Sequence, residues 1–280
     1  MTTEQFLDSV PMPERFKYGF MYPFFQASWG VLLDEIKTFM IYDVARYAYL
    51  NLPSGLAPRD WTEIVGGTQT YVNALRAALT TTRVKTGTPI AAVRRVDDGY
   101  TIEAENGQTE TYDHVVLATN ANQAAAAIAD IPEAQAICRL LNQITYFETR
   151  IAIHGDTRLM PPQRKHWSTV NLRFDGTFSQ MTIWKAWKSK NPVFRSWITH
   201  DDRQPDPLYA LAKYLHPRVD AAYFGAQSAL QTYQGRHNLW LAGMYMHDID
   251  CHESAVLSAV KIAQTLAPQT SRLTELMSPA

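Results

Sequence analysis

The stretch Val115-Val-Leu-Ala-Thr119, followed at once by Asn120-Ala-Asn-Gln-Ala124, determines the fold class that we predict for this chain. A short continuous apolar run is typical of a strand buried on both faces of a parallel sheet. The alanine-rich segment after it predicts a helix that begins near Asn120. A second run of this kind, Leu239-Trp-Leu-Ala-Gly243, precedes a polar loop and another helix. The chain is therefore expected to contain an α/β unit.

Short strands separated by turn residues precede the first run. We predict four of them, at Val84–Thr86, Ile90–Val96, Tyr100–Ala104 and Glu110–Tyr112. The turn signals Asp97-Asp-Gly99 and Glu105-Asn-Gly107 indicate a β-meander. From Thr145 to Thr199 the sequence is rich in Trp, Ile, Thr and Phe, which favours an antiparallel sheet with one covered face.

Helical patterns occupy the remaining segments. The region up to about Arg59 is predicted to be helical and is dense in aromatic residues, which favours a helical core over a substrate-lining face. An amphipathic helix after Gly67 carries Val72, Leu75 and Leu79 on one face. Two further helices are predicted at about 221–233 and 252–266. The last of them presents the apolar residues Val256, Ala259, Val260 and Ala263 on one face.

The composition excludes several classes of protein. The 280 residues are 46% apolar, which is enough for one sizeable core or two smaller ones. The 26 basic and 27 acidic residues form no basic stripe, so no nucleic-acid partner is expected. No signal peptide or long apolar run is present, so we expect a cytoplasmic protein without a membrane span, while peripheral membrane contact stays open. Cys138 and Cys251 favour a reducing compartment, with a single disulfide as the alternative.

The two strand-to-helix junctions, Val115–Ala121 and Leu239–Ser258, are the first candidate binding elements. A helix that begins after a buried strand offers free backbone N–H groups and the positive end of its dipole, which suit a phosphate. In open α/β sheets, ligands bind outside the carboxyl ends of such strands. The alternative is an ordinary connection between strand and helix, since fold alone does not give function.

Read in order, the chain resembles the C-terminal two-thirds of a bacterial family of NAD/FAD-binding, flavin amine-oxidase-like proteins that is associated with cyclopropane fatty acid synthesis. The resemblance covers nearly the whole chain in one collinear order. It is carried by Pro23-Phe-Phe-Gln-Ala-Ser-Trp-Gly30, Trp61-Thr-Glu-Ile-Val-Gly-Gly-Thr-Gln-Thr-Tyr-Val72, Val84-Lys-Thr-Gly-Thr-Pro-Ile90, Asp113-His-Val-Val-Leu-Ala-Thr119, His154-Gly-Asp156 with Leu159-Met-Pro161, Trp167-Ser-Thr-Val-Asn171, His216-Pro217 with Ala226-Gln227, and Leu241-Ala-Gly243 leading to His252-Glu253.

The resemblance implies a mixed α/β fold with part of an FAD-binding sheet, an antiparallel-sheet substrate domain and a helical cap. Residues 1–60 would form the helical cap and substrate region, and 61–144 a part of the FAD-binding domain with its β-meander. Residues 145–235 would form the substrate domain, an antiparallel sheet with a helix. Residues 236–280 would supply a strand and a helix that return to the FAD-binding domain.

The resemblance also implies which residues contact FAD. Gly66 and Gly67 match a Gly-Gly turn that lies against the flavin, where glycine permits close approach of the backbone. The backbone of Ile90 would pair with the adenine, and Ala118 and Thr119 would lie near the diphosphate. The remaining contacts, at the start of the final helix, would come from Gly243, Glu253 and Ser254. The resemblance names no catalytic base.

Two departures from the family pattern affect this expectation. The family's final motif is typically Gly-Phe-His-Glu-Asp-Gly, whereas this chain has Asp250-Cys-His-Glu-Ser-Ala255. The family begins with a strand, Gly-x-Gly-x-x-Gly and a helix, but no two of the 13 glycines here are spaced as Gly-x-Gly. The chain starts where the family's helical cap would be. We therefore expect a partner chain that carries the Rossmann βαβ unit, or a truncated product.

The sequence also permits other chemistry. Six of the seven residues in His247-Asp-Ile-Asp-Cys-His-Glu253 are able to ligate a metal, although their spacing matches no metal-binding motif with a known structural basis. His154 and Asp156 form a candidate acid–base pair, or they merely share one face of a strand end. Lys185 and Lys188 lie between tryptophans and are candidates for contact with a substrate anion, with a solvated face as the alternative.

The function that we predict is that of an FAD-dependent oxidoreductase acting on an apolar or lipid-like substrate, once the Rossmann half is supplied. The flavin would carry the redox chemistry while the protein orients the substrate over it. One alternative is a non-catalytic, partner-binding subunit that has lost its flavin. The other is a metal-dependent hydrolase built on His247 to Glu253.

Overall fold

The computed structural model describes residues 1–51, 62–188 and 191–277. Trp61, which opens the Trp-Thr-Glu motif, and the end of the predicted region 1–60 lie outside the described residues. Helices and both parallel and antiparallel strands are present, which confirms the predicted mixed α/β class. The bounds predicted for the four domains stay predictions.

The N-terminal region is helical, as predicted. Its helices are α1 (Thr3–Ser9), α2 (Glu14–Phe16), α3 (Tyr22–Trp29), α4 (Leu33–Thr38) and α5 (Ile41–Asn51), and a π-helical turn, Lys17–Met21, joins α2 to α3. Gly30 ends α3 in a left-handed conformation, with φ of +72°. A Cβ atom at Gly30 would lie 2.7 Å from the ring of Trp197, so the chain requires glycine at this turn.

The aromatic residues of this region divide between the core and the surface. Tyr22, Phe25, Trp29 and Phe39 are buried, while Phe16, Phe20, Tyr42, Tyr47 and Tyr49 are exposed. The sequence left two interpretations of these residues, a helical core and a substrate-lining face, and they apply to different faces of the same helices. One face forms core, and the other face remains open to a ligand or a partner.

The predicted β-meander is present. It consists of β1 (Ile90–Val96), β2 (Gly99–Ala104) and β3 (Thr109–Tyr112), paired antiparallel in that order. The predicted strand Val84–Thr86 is wrong, because no strand of the described chain pairs with it. Its Lys85 instead donates to Oε1 of Glu110 at 2.7 Å.

The fold also contains a parallel pair of strands. Strand β4 (Val115–Leu117) pairs with β10 (Leu239–Leu241), with Val115 opposite Leu239. The helices outside the N-terminal region are α6 (Thr68–Ala78), α7 (Ala121–Ala127), α8 (Gln135–Leu141), α9 (Ala221–Leu230), α10 (His252–Leu266) and α11 (Ser271–Met277). The expected burial of β4 on both faces is wrong, since Val116 is 44% exposed. The strand pairs only with β10, and no described segment covers its outer face.

The predicted antiparallel sheet is confirmed and has five strands. These are β5 (Tyr146–His154), β6 (Val170–Phe174), β7 (Ser179–Trp184), β8 (Phe194–Trp197) and β9 (Leu208–Pro217), in the order β6-β7-β8-β5-β9. The sequence pattern did not predict β9, because its Leu, Ala and Lys residues favour a helix. Pairing along nearly the whole length of β5 outweighs that local preference.

One continuous core connects most of these elements. It includes Leu7 of α1, Tyr100 of the meander, Leu117 of β4 and Tyr223 of α9. Helix α6 is different, because Val72, Leu75 and Leu79, which form its predicted apolar face, are 43%, 62% and 44% exposed. The helix is present as predicted, but in the described chain its apolar face has no covering element.

Helix α10 has the predicted bounds but a different buried face. Its buried residues are Ser254, Ser258, Val260 and Ile262, whereas Val256 and Ala259 face outward. Of the four apolar residues predicted for the inner face, only Val260 is buried. None of the described helices is both long enough and apolar enough to cross a membrane.

Candidate cofactor and substrate site

The carboxyl ends of β4 and β10 form one edge of the candidate site. The backbone N–H of Ala242 donates to the carbonyl oxygen of Leu117 at 2.9 Å, beyond the last paired residues. This bond places Ala118 and Thr119 beside Gly243, and the side chains of Ala118 and Thr119 are exposed. The structure thus brings together three of the residues predicted to contact the cofactor.

Gly243 has a backbone conformation that favours glycine. Its φ is +145°, and a Cβ atom there would lie 2.9 Å from Cε1 of Tyr245. Its N–H donates to Oγ of Ser258 at 2.9 Å, which fixes the turn against α10. A side chain at this position would therefore disturb the junction between β10 and α10.

The two helices that follow the parallel strands differ at their N-termini. At α7, Asn120 and Gln123 form a capping box, and the N–H of Ala121 donates to the hydroxyl of Tyr146 at 2.8 Å. Two of the N–H groups expected to be free, those of Ala121 and Gln123, are therefore bonded at this junction, and that of Asn122 has no acceptor among the described residues. At α10, the N-cap residue Cys251 makes no capping bond, and the N–H groups of residues 252–254 have no acceptor in the described part of the chain. The second junction thus keeps three adjacent donors for an anionic or polar group.

The Gly66–Gly67 turn precedes α6 and is linked to the same region. Both glycines have φ of +83°, and the space in front of Gly67 is open. The hydroxyl of Tyr71, in the first turn of α6, lies 3.0 Å from Nε2 of His252, and the two rings meet edge to face. This contact joins the helix that follows the glycine turn to the first residue of α10.

The other three predicted contacts are placed less uniformly. Glu253 is exposed in the first turn of α10, whereas Ser254 is buried, with its Oγ 3.3 Å from Sγ of Cys251. Ile90 lies opposite Ala104 at the start of β1, and its side chain lines a groove of the meander. The contacts described for Ile90 lie within the meander and not at α10.

The residues proposed as metal ligands turn to separate partners. Nδ1 of His247 lies 2.8 Å from Nζ of Lys261, and Asp248 pairs with Arg46 at 2.8 Å. His252 contacts Tyr71, as described above. No set of three or more His, Cys, Asp or Glu side chains in 1–51, 62–188 or 191–277 is arranged to hold a metal ion. Cys138 and Cys251 are free thiols.

The candidate pair His154 and Asp156 is engaged in local structure. Nε2 of the buried His154 lies 2.8 Å from Oγ of Ser196, and its Nδ1 accepts the N–H of Asp156 at 3.1 Å. The guanidinium of Arg158 binds the Asp156 carboxylate and holds the pKa of that carboxyl well below its usual range. These contacts stabilise the end of β5 and leave neither group free for acid–base chemistry.

Two buried carboxyl groups lie beneath the start of α10: Asp250, which the sequence offered only as a metal ligand, and Asp43, which the sequence pattern did not single out. Oδ1 of Asp43 accepts the backbone N–H of Asp250 at 2.8 Å. Oδ2 of Asp250 lies 3.4 Å from Nδ1 of His216, at the end of β9. Burial raises the pKa of Asp43 to about 7 and that of Asp250 to about 7, and it lowers the pKa of His216. For Asp43, the available sequence signal was an aspartate among the apolar residues of α5.

A groove lies on the face of the five-stranded sheet beside Arg195 of β8. Its other lining residues are Ile153, Ile183, Lys185, Lys188, Val193 and Phe194. The guanidinium of Arg195 stacks 5.2 Å from the ring of Trp197. Arg195 is open to solvent, yet the surrounding protein lowers its pKa. The groove thus combines an apolar wall with cationic side chains.

The comparison with protein families agrees with this arrangement. The model of the flavin containing amine oxidoreductases matches residues 5–154, which is more than half of the chain. The chain therefore belongs to the flavin-containing amine oxidoreductase family, and its cofactor is FAD. No curated protein sequence matches the chain.

Solved structures share the fold. The putative protoporphyrinogen oxidase from Exiguobacterium sp. 255-15 superposes with a TM-score of 0.61 at 15% identity, over 94% of this chain and 69% of that one. Cyclohexylamine oxidase from Brevibacterium oxydans IH-35A gives 0.59 at 12% identity, over 95% and 68%. The CLA-producing fatty acid isomerase from P. acnes gives 0.51 at 13% identity, over 72% and 52%. The chain thus spans about two thirds of the first two structures and about half of the third.

The residues present fit a flavin at the α10 junction. Gly243 has a conformation that a side chain would strain, Gly67 faces open space, and the first turn of α10 keeps free N–H donors. The eight residues predicted to contact the cofactor stay predictions: Gly66, Gly67, Ile90, Ala118, Thr119, Gly243, Glu253 and Ser254. Ser254 is buried and Ile90 lies in the meander, so these two are placed least favourably for such a contact.

Proposed function

We propose that this chain forms the substrate-facing part of an FAD-dependent oxidoreductase that acts on an apolar, lipid-like substrate. The bound flavin would supply the redox chemistry. The chain's own residues would bind and orient the substrate and exclude water from it. The family that this sequence resembles is associated with cyclopropane fatty acid synthesis, which supports a role in lipid metabolism.

The observation that carries this proposal is the first turn of α10, where the backbone N–H groups of residues 252–254 have no acceptor among the described residues of a chain that belongs to a flavin-containing family. The groove beside Arg195 adds an apolar wall from Ile153, Ile183 and Val193. Apolar walls suit an apolar ligand, and a few polar groups fix its orientation.

We further propose that a partner chain carrying the Rossmann βαβ unit completes the cofactor site. The exposed apolar side chains of α6 and the outward face of Val116 support this proposal, because such surfaces mark interaction sites in soluble proteins. The absence of any Gly-x-Gly spacing among the 13 glycines also supports it. The partner's turn would hold the diphosphate.

A non-catalytic, partner-binding subunit is the second candidate function. The burial of Ser254 and its contact with Cys251 favour it, because this serine does not face the cofactor region. In that case the same apolar surfaces would bind a partner without any flavin.

Flavin content and binding test the proposal. FAD titrated into the isolated chain should show no binding in the low-micromolar range, because the diphosphate donors are missing. The chain co-purified with its partner should show the visible absorbance of oxidised flavin. A stable complex without flavin would favour the non-catalytic subunit, and tight stoichiometric binding of FAD by the chain alone would contradict the need for a partner.

A further inference from the structure

Arg195, on β8, carries a positive charge at the wall of a surface groove. Arg195 forms no ion pair with any carboxylate of the described residues, and its ring contact is with Trp197. Protein atoms surround the guanidinium closely enough to lower its pKa, although solvent still reaches it. A guanidinium in such a setting attracts an anion, because its planar donors match the two oxygens of a carboxylate.

A groove of about 190 Å³ lies beside Arg195. Its apolar surface comes from Ile153, Ile183 and Val193, and Lys185 and Lys188 add two further cations. Both lysines are bound to the same carboxylate, that of Glu63, with Nζ of Lys188 at 2.8 Å. Glu63 thus offsets one of the two lysine charges, and Arg195 adds a further positive charge beside the apolar wall.

The apolar wall of the groove defines where the rest of a ligand would lie. Ile153 on β5 and Ile183 on β7 are the cross-strand partners of Arg195, so the three side chains share one face of the sheet. An apolar body that starts at Arg195 would therefore lie against these side chains.

We propose that Arg195 binds the carboxylate of an apolar monocarboxylate, a fatty acid in its chemistry, whose body lies against Ile153, Ile183 and Val193 in the groove. This proposal rests on the function proposed above and names its substrate class. The lysines and Arg195 repel an ammonium group, so the site disfavours the alkylamines that the family name suggests.

The test measures binding of dodecanoate and of dodecylamine to the full chain, together with any partner that co-purifies, by isothermal titration calorimetry below the micelle concentration. Dodecanoate should bind at least about tenfold more tightly than dodecylamine. In Arg195→Gln, dodecanoate binding should weaken by about tenfold or more, because a charge-assisted hydrogen bond is lost. The affinity of Arg195→Lys for dodecanoate should lie between those of the parent and of Arg195→Gln.

Arg164→Gln is the matched control, because Arg164 also stacks on a tryptophan, at 5.2 Å from the ring of Trp167, but outside the groove. It should bind dodecanoate like the parent. No binding of dodecanoate, equal binding by Arg195→Gln, or preference for the amine would each overturn the proposal. The comparison of the two ligands on the parent decides the question if a variant fails to fold.

Flavin content separates this inference from the function on which it rests. Arginine-dependent binding of dodecanoate by a complex without flavin would support the carboxylate site and contradict the redox function. A flavin-containing complex that prefers the amine would support the redox function and overturn the carboxylate site.

Discussion

The backbone N–H of Asp250 donates to Oδ1 of Asp43 at 2.8 Å, which joins α5 to the loop before α10 across 207 positions of the sequence. The side chains of both aspartates are buried, and Oδ2 of each has no hydrogen-bond partner among the described residues. The helical N-terminal region and the candidate cofactor helix therefore meet at a pair of carboxyl groups that favour the protonated state.

This pair should make stability depend on pH. The pKa of Asp43 is about 7 in the folded chain and about 3.9 when unfolded, so its favourable contribution is complete below about pH 4 and is lost as the pH rises to 7. Asp43→Asn should therefore gain about 1–3 kcal/mol relative to the parent between pH 4.5 and 7.5. Urea unfolding at several pH values measures this difference.

Asp34→Asn is the control for that experiment, because the Asp34 side chain is 96% exposed. Its stability should stay at a constant difference from the parent over the same range. The lowered pKa of His216 makes stability rise with pH, which is opposite to the effect of Asp43. Because His216 is present in both the variant and the parent, its effect cancels in each comparison. A constant difference for Asp43→Asn would show that this carboxyl is ionised at pH 4.5.

The contact between Tyr71 and His252 should restrain α6. Tyr71→Phe removes the hydroxyl that lies 3.0 Å from Nε2 of His252, at a cost of about 0.5–1.5 kcal/mol for local opening. Amides of Thr68–Ala78 should then exchange with deuterium severalfold faster than in the parent. Tyr18→Phe, on the exposed face of the N-terminal region, should leave the exchange of these amides unchanged. Equal exchange in the two variants would argue against the restraint.

The exposed face of α6 should govern association. Leu75→Glu should change the free energy of unfolding by no more than about 0.5 kcal/mol, since Leu75 is 62% exposed, but it should reduce self-association or partner binding. Light scattering measures self-association, and co-purification measures partner binding. Leu276→Glu, at a residue of α11 that is 61% exposed, is the matched control and should associate like the parent. A parent that is a monomer without a partner would contradict the role of this face.

Gly243 and Cys251 should respond differently to substitution. Gly243→Val places a branched side chain where a Cβ atom alone would be 2.9 Å from Tyr245, so the partner complex should lose its flavin. Cys251→Ser should keep it. Gly176→Ala controls for backbone strain, because its φ is also positive, at +102°, with no atom near the added Cβ. Loss of bound metal and activity in Cys251→Ser, with Gly243→Val behaving like the parent, would instead favour metal chemistry.

Several elements followed from local sequence patterns alone. The continuous runs at Val115 and Leu239 predicted the parallel pair, and the glycine-containing turns predicted the meander, because both signals are local. The bounds of α10 were predicted for the same reason. Leu208–Pro217 was not predicted as a strand, since its residues favour a helix and only pairing with β5 makes it extended.

The candidate site depended on long-range contacts. Family resemblance named Gly66 and Gly243, but neither spacing nor periodicity could predict that Tyr71 would meet His252, or that Arg195 would line one groove with Ile153 and Ile183. Asp43, His216 and Asp250 come from three distant segments, and their pKa values depend on burial that exists only in the folded chain. Residue type and local periodicity thus determined the elements. The tertiary structure decided which side chains lose water and which charges remain unpaired, because both depend on neighbours that are remote in sequence.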